Sequence, residues 1–302
     1  MKKVIVAIFI IYLLPKLFEN ISYKTIDTDS LLKEKVTKTY LVKKIDTALK
    51  KDNLDDAKIY INLAKMLHIT LPSSLYERYN KQDNLLHDLK DLGHGFLTGD
   101  AKNSKQLAGA IASDFTVVGD IRDITKEGGK YLQNKPYDEF VLGISVVGVG
   151  LTLTTISSVG STAPLKVGAS VLKVAKRTGK LTKSFAKTIM TKLSKTYDKR
   201  LLKKMDFKSI NFEPIKPIFK NLNKIEKNTS YSDTLYLLKY IKDEKDLTKV
   251  TKLSQKYGKN TKAVLKVLGK SALKGAKKVL VYTKDAIYLF GAILLGILYI
   301  LS

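Results

Sequence analysis

The sequence predicts a mainly α-helical membrane protein, and three observations carry that expectation. Apolar runs stand near both ends of the 302-residue chain, and a third run, Phe140 to Leu165, has no charge between Glu139 and Lys166. Most of the remaining chain shows the i, i+3, i+4 apolar spacing of amphipathic helices. Charge also steps sharply across the central run: residues 20–138 hold 19 Lys+Arg against 17 Asp+Glu, whereas residues 173–284 hold 31 against 8. So basic a block suits a polyanion: anionic lipid, nucleic acid or an acidic protein. Its cations are almost all Lys; the only arginines are Arg78, Arg122, Arg177 and Arg200. Lys is a mobile point charge and Arg the residue of bidentate base and phosphate recognition, so the composition favours lipid headgroups over sequence-specific nucleic-acid binding. Cys is absent, which excludes thiol nucleophiles, disulfides and Cys-type zinc sites.

At the N-terminus, Lys2 and Lys3 precede an apolar run from Val4 to Leu14. That run is nearer signal-peptide length than the roughly 20 residues of a full span. No small-x-small cleavage site follows, so residues 1–20 read as an uncleaved signal anchor. Residues 21–100 read as a helical region. LLKEKVTKTYLVKKIDTALKK (31–51) is strongly helix-forming, and DNLDDAKIYINLAKMLHITLP (52–72) follows with Asp52, Asn53 and Asp55 as cap candidates and Pro72 as a stop. Through Ala57, Tyr60, Leu63 and Ala64 this pair resembles a single tetratricopeptide-type hairpin. One hairpin does not make a solenoid, because repeats need neighbours to bury their faces. LGHGFLTGD (92–100) carries Gly93, Gly95 and Gly99, but no strand precedes it and no Lys-Ser/Thr pair follows, so it reads as a loop rather than a phosphate cradle. His68, His87 and His94 lack metal-ligand spacing.

Residues 101–178 form a module rich in small residues. In LAGAIASDFTVVGDIRD (107–123), Ala108, Gly109, Ala110 and Ala112 permit close helix approach. Asp120, Arg122 and Asp123 are expected to act as helix cap and ion pair: Asp120 follows Gly119 and can cap a helix running on through ITKEGGKYLQ. Acid–base chemistry by the two carboxylates ranks well below that. The order D-F-T-V-V-G-D-I-R-D, a Gly-Gly turn, Asp138, a glycine-rich apolar segment and a Lys-rich stretch spans about residues 92–185. It resembles the hydrophobic module that precedes toxin domains in bacterial polymorphic toxins, and uncharacterised proteobacterial membrane proteins with a D-x-T-V-V-G-D-x-R-D stretch. The resemblance implies a membrane-associated module and no particular activity; no toxin catalytic domain is recognisable downstream.

The central run, 140–165, is long enough to cross a bilayer as a helix. Leu142, Val146, Val149, Leu153 and Ile156 form a bulky stripe, with small and hydroxyl residues on the other faces. Bulky residues toward lipid and small ones toward a neighbouring helix is the membrane arrangement. Gly143, Gly148, Gly150, Thr154 and Ser157 are therefore the expected membrane helix-packing positions, and a fully enclosed core helix is the alternative. SSVGSTAP then turns the chain, with Pro164 suited to a helix N-terminus.

Residues 179–281 read as Lys-rich amphipathic helix. Leu181, Phe185, Ile189, Leu193, Tyr197, Leu201 and Met205 recur every four residues, and FEPIKPIF (212–219) interrupts with two prolines. From Lys249 to Lys278 lysines return every three or four residues, as one Lys-faced helix leading into the C-terminal span. Lys266, Lys270, Lys274, Lys277 and Lys278 are the expected anionic-lipid contacts. Residues 282–302 (YTKDAIYLFGAILLGILYILS) read as a C-terminal transmembrane helix.

Together these elements predict three spans: 20–138 periplasmic, 173–284 cytoplasmic and the tail crossing outward. The expected function is that of a non-enzymatic bacterial inner-membrane protein. Its basic domain would lie on the anionic inner leaflet, scaffolding or binding another membrane or periplasmic protein. The alternatives are a membrane-inserting, toxin-like or pore-forming protein and a membrane-tethered nucleic-acid binder. No catalytic residue, cofactor, metal or small-molecule substrate is expected.

Overall fold

A computed structural model describes residues 2–92, 117–157, 163–198, 200, 207 and 209–302. The chain is mainly helical and divides into two compact units, 1–35 with 274–302, and 36–273. The five consecutive segments read from sequence thus give way to a unit built from both ends and a second built from everything between them.

In the first unit, α1 (Lys2–Glu19) leads into β1 (Ile21–Ile26) and α2 (Thr28–Lys35), while β2 (Lys277–Tyr282) leads into α15 (Lys284–Leu301). The two strands pair antiparallel, Ile21 opposite Tyr282 and Ile26 opposite Lys277. Periodicity reasoning read both stretches as helix or helix flank. The signal for strands was the β-branched and aromatic content of ISYKTI and VLVYT, which favours a pleated chain. Thr283 caps α15, its hydroxyl accepting from the Ala286 N–H, and it also bonds the Asn20 side chain at 2.9 Å. Asn20 and Thr283 therefore lie side by side at the foot of an antiparallel helix pair.

In the second unit, α3 (Lys38–Lys50) and α4 (Leu54–Met66) form the hairpin expected from sequence. Of the three cap candidates Asn53 is the one used, accepting from the Asp56 N–H at 3.0 Å. Tyr40 and Tyr60 meet edge to face across the hairpin, with centroids 6.4 Å apart. α5 (Ser73–Leu92) begins directly after Pro72 and is tied to α3 by the Arg78–Asp46 ion pair, 2.7 Å.

Next, α6 (Val117–Asp123) passes through one π-wound turn (Ile124–Gly128) into α7 (Gly129–Leu132). α8 (Glu139–Ser157) and α9 (Ala163–Arg177, with Pro164 in its first turn) follow, then α10 (Lys183–Thr196) and α11 (Lys216–Asn228). Two expectations in this stretch change. The four-residue repeat from Leu181 ends as helix at Thr196, and Leu201 and Met205 lie outside the described residues. Pro217 does not interrupt a helix; it sits in the first turn of α11, where its missing N–H costs nothing.

The chain continues through α12 (Tyr231–Leu237), α13 (Glu244–Tyr257) and α14 (Thr261–Leu268). The single Lys-faced helix expected over 249–278 is absent. Gly258 and Gly269, with φ of +52° and +59°, end α13 and α14 in the left-handed region, where glycine carries no steric penalty. α14 is also largely buried, through Ala263, Val264, Leu265, Val267 and Leu268.

The central run forms the interior of this unit. Every residue from Phe140 to Leu151 is buried, with α6 and its π turn, α9 and α10 packed around α8. The apolar faces of α8 contact other helices of the unit, the arrangement of an enclosed core helix. Residues 20 and 283, bonded to each other, do not fit the three-span topology, which puts them on opposite sides of one crossing.

Candidate functional site

Two features of the fold carry chemistry: the apolar helix pair of the first unit and a buried ion cluster in the second.

The helix pair follows from two apolar stripes. Val6, Ile10, Leu13 and Leu17 of α1 recur at i, i+4, i+7 and i+11, and Ala286, Leu289, Ile293 and Gly296 of α15 at i, i+3, i+7 and i+10, so each set lies on one face. Leu13, Leu17, Ala286 and Ile293 are the buried centre of the contact. A Cβ at Gly296 would stand 3.0 Å from Ile10 Cδ1, so the glycine sets how closely the helices approach. All other faces are open: Ile5, Ile8, Phe9, Ile287, Phe290 and Leu295 are among many large exposed apolar side chains. An apolar patch of this extent marks an interaction surface. Lys284–Leu301 is long and apolar enough to cross a membrane, the one such helix among the described residues. α1 carries Lys2, Lys3, Lys16 and Glu19 at its ends and Pro15 within it.

The ion cluster joins α6, α8 and α9. Lys173, 1% exposed, donates to Asp120 Oδ1 at 2.6 Å and pairs with Asp123 Oδ2 at 2.9 Å. Asp123 also pairs with Arg177 and, at 3.1 Å, with Arg122. Ser145 of α8 lies 3.4 Å from the Lys173 amine. Burial alone would raise the Asp123 carboxyl; the hydrogen bond from Lys173 and the charges of Lys173 and Arg177 outweigh it and hold the group below the usual carboxylate range. One turn on, the Asp138 backbone N–H and the Lys130 amine hold Glu127 low as well. Asp138 in turn caps α8, accepting from the Val141 N–H at 3.0 Å.

The expected site residues divide as follows. Asp120 and Asp123 lie within α6 rather than ahead of it, so they are ion-pair partners of α9 and not caps; Arg122 reaches Asp123 as the expected ion pair. Gly143 receives Leu193 of α10 and Tyr197 just after it, Gly150 receives Ile210 and Phe212, and Gly148 carries the Asp120 carboxylate directly over its Cα. The close neighbours of these glycines thus belong to the second unit itself: a helix end at Gly143, a carboxylate at Gly148 and non-helical residues at Gly150. The Thr154 hydroxyl bonds its own i−4 carbonyl, Gly150 O, at 3.0 Å, and Ser157 is the last residue of α8. Lys266 pairs with Asp56 and lies over the Tyr60 ring, which removes it from the lipid-contact set; Lys270 is an exposed residue of the same unit. Lys274, Lys277 and Lys278 are exposed in the other unit, the last two on β2. The loop 93–100 and its His94 lie outside the described residues.

Sequence reasoning missed Lys173, Arg177, Ser145 and Gly168. The available signal was Lys173 itself, set in ASVLKVA with apolar neighbours on both sides, a context in which a lysine needs a buried counter-charge. Gly168 admits the backbone of Phe219, whose Cα and carbonyl oxygen stand 2.5 Å from where a Cβ would be. Among the described residues no three His, Cys, Asp or Glu side chains converge as a metal site. Comparison with protein-family models, with curated proteins and with solved structures finds no match to this chain.

Proposed function

We propose that this chain is a non-enzymatic bacterial inner-membrane protein anchored by a two-helix hairpin made from its two ends. In this reading residues 20–283 stand on the cytoplasmic side, against the anionic leaflet, and serve to scaffold or bind a partner. The observation that carries it is the antiparallel packing of α1 on α15 through one stripe each, with large apolar side chains exposed on the other faces and the charges confined to the helix ends. Eighteen residues of helix rise about 27 Å, close to the roughly 30 Å of bilayer hydrocarbon. The flank of the C-terminal helix, residues 265–283, carries Lys266, Lys270, Lys274, Lys277 and Lys278 and no Asp or Glu, and a basic flank next to a span favours the cytoplasmic side. The hairpin replaces the three-span topology, because both of its inner ends emerge on one face. The ion cluster fits an architectural role: each carboxylate is already neutralised by a cation from α9, which favours helix docking over acid–base work.

Alkaline carbonate extraction followed by cysteine accessibility tests this reading. The chain has no Cys, so single probes at Lys3, Tyr231 and Ser302 report without background. Retention in the pellet, with the two terminal probes labelled from the periplasm and the Tyr231 probe from the cytoplasm, is expected. Release into the supernatant overturns it. A membrane-inserting, toxin-like role is the second reading, supported by the charge-free run from Phe140 in α8 inside the second unit; dye leakage from anionic liposomes on adding the protein would favour it.

A further inference from the structure

We infer that the β1–β2 ribbon is a membrane-interface element, seated in the headgroup layer of an anionic bilayer and fixing the depth of the hairpin. The inference rests on the hairpin reading above and adds a docking surface, its occupant and its register.

The ribbon is unusual for a soluble protein. Every residue of β2 is exposed, and Tyr23 and Tyr282 are 71% and 54% exposed. Among the described residues the sheet has two strands only, so each strand turns one row of backbone N–H and C=O groups away from the ladder. Two-stranded ribbons are marginal in water without a supporting surface.

Its side chains are graded along its length. Opposed residues of an antiparallel pair share a face. The three pairs next to the helices, Ile21–Tyr282, Ser22–Val281 and Tyr23–Leu280, are apolar or aromatic apart from Ser22. The three outer pairs bring Lys24, Lys278 and Lys277 opposite Val279, Thr25 and Ile26.

Two costs place this element. Open strand edges cannot enter hydrocarbon, where each unsatisfied backbone group costs several kcal/mol, and Lys16, Glu19, Lys284 and Asp285 stand between the apolar helix runs and the strands, so the hydrocarbon ends short of Asn20 and Thr283. Exposed apolar rings in bulk water are also unfavourable, and the headgroup layer, wet yet partly apolar, is where tyrosine accumulates. The dimensions agree: the layer adds roughly 5–8 Å per leaflet to the hydrocarbon, and three strand residues advance about 10 Å. With the charged helix ends at the inner edge of the layer, the apolar half occupies its outer part and leaves the three lysines at the aqueous boundary, where they meet the field of anionic headgroups. Continuity with the apolar helix pair selects a bilayer over a protein partner.

The chain has no Trp, so single-tryptophan variants of the full-length protein test the depth. Y282W and L295W are reconstituted into phosphatidylcholine vesicles with and without phosphatidylglycerol. Some vesicles carry a headgroup spin label, others acyl chains brominated near the bilayer centre. Y282W should be quenched more by the headgroup label and L295W more by bromine. Replacing Lys24, Lys277 and Lys278 by Gln in Y282W should abolish any added quenching that phosphatidylglycerol brings. If Y282W is quenched by aqueous iodide and by neither lipid probe while L295W is quenched by bromine, the interface inference falls and the hairpin stands. If neither position senses lipid, both fall. A Y282W signal that depends on protein concentration without lipid would mean edge pairing between copies, and would overturn the inference too.

Discussion

α8 and α15 are close to equal in length and apolar character, yet the structure treats them in opposite ways. From Phe140 to Leu151 α8 is buried all round, whereas in α15 only Ala286 and Ile293 are buried. Hydropathy does not separate the two. What separates them is the supply of neighbours: α8 has glycines on several faces, each occupied by a different helix or side chain, and an ion cluster that clamps α6 to α9 across it. α15 has one partner and one packed stripe. A long apolar helix is enclosed when the rest of the chain offers enough apolar surface and counter-charge to surround it.

The largest effect should come from breaking the clamp. Lys173→Met leaves Asp120 and Asp123 buried with Lys173 gone, and removing one member of a buried charge cluster costs about 3–5 kcal/mol. Denaturant unfolding should show that loss in the transition of residues 36–273. Converting Asp120 and Asp123 to Leu in the same background should recover much of it, because buried ion clusters are often replaceable by apolar side chains. Failure of the single variant to destabilise would remove the clamp from the comparison.

Next in size is an Ala scan of glycines that should have opposite signs in the two helices. Gly148→Ala places a methyl on the Asp120 carboxylate and should destabilise by about 1–3 kcal/mol, the usual cost of overpacking. Gly291→Ala meets nothing within 4 Å and should be neutral or stabilise the helix by up to about 1 kcal/mol, the propensity difference between the two residues. Equal effects would mean that α15 is enclosed as α8 is.

Acid should distinguish the units as well. The folded-state pKa of Asp123 lies below its ordinary value, so its stabilisation is fully present above about pH 4 and is lost as pH falls through the lowered value. Unfolding monitored against pH should show the 36–273 unit weakening below about pH 4, and Asp123→Asn should flatten that dependence.

Much of this was legible in the sequence. Helical class, the α3–α4 hairpin and the apolar C-terminal helix follow from periodicity and residue type. The burial of α8 was not, because enclosure depends on Lys173 and Gly168, which lie 20 or more residues beyond Gly148 and meet their partners only through tertiary folding. The ribbon was hidden for a related reason: its strands are 250 residues apart, and each alone reads as the flank of an apolar helix. The ion cluster was half legible, since Asp120, Arg122 and Asp123 stood out while the cations that answer them on α9 looked like part of a lysine-rich surface.

The smallest effect tests how that lysine-rich surface divides. Lys266 belonged with Lys277 and Lys278 by sequence, but it pairs with Asp56 on α4, whereas the other two extend from β2. Lys266 and Asp56 are both partly exposed, and an ion pair near the surface contributes about 0.2–1 kcal/mol. A double-mutant cycle with Lys266→Ala and Asp56→Ala should therefore return a coupling in that range. Lys266→Ala alone should leave binding to phosphatidylglycerol vesicles unchanged. Lys277→Ala with Lys278→Ala should show the converse: no change in unfolding and weaker vesicle binding, by roughly 1 kcal/mol per lysine near an anionic surface. If Lys266→Ala weakened vesicle binding as much as the β2 pair, the basic residues would act as one diffuse field, and the distinction between lysines that hold the second unit together and lysines that face lipid would collapse.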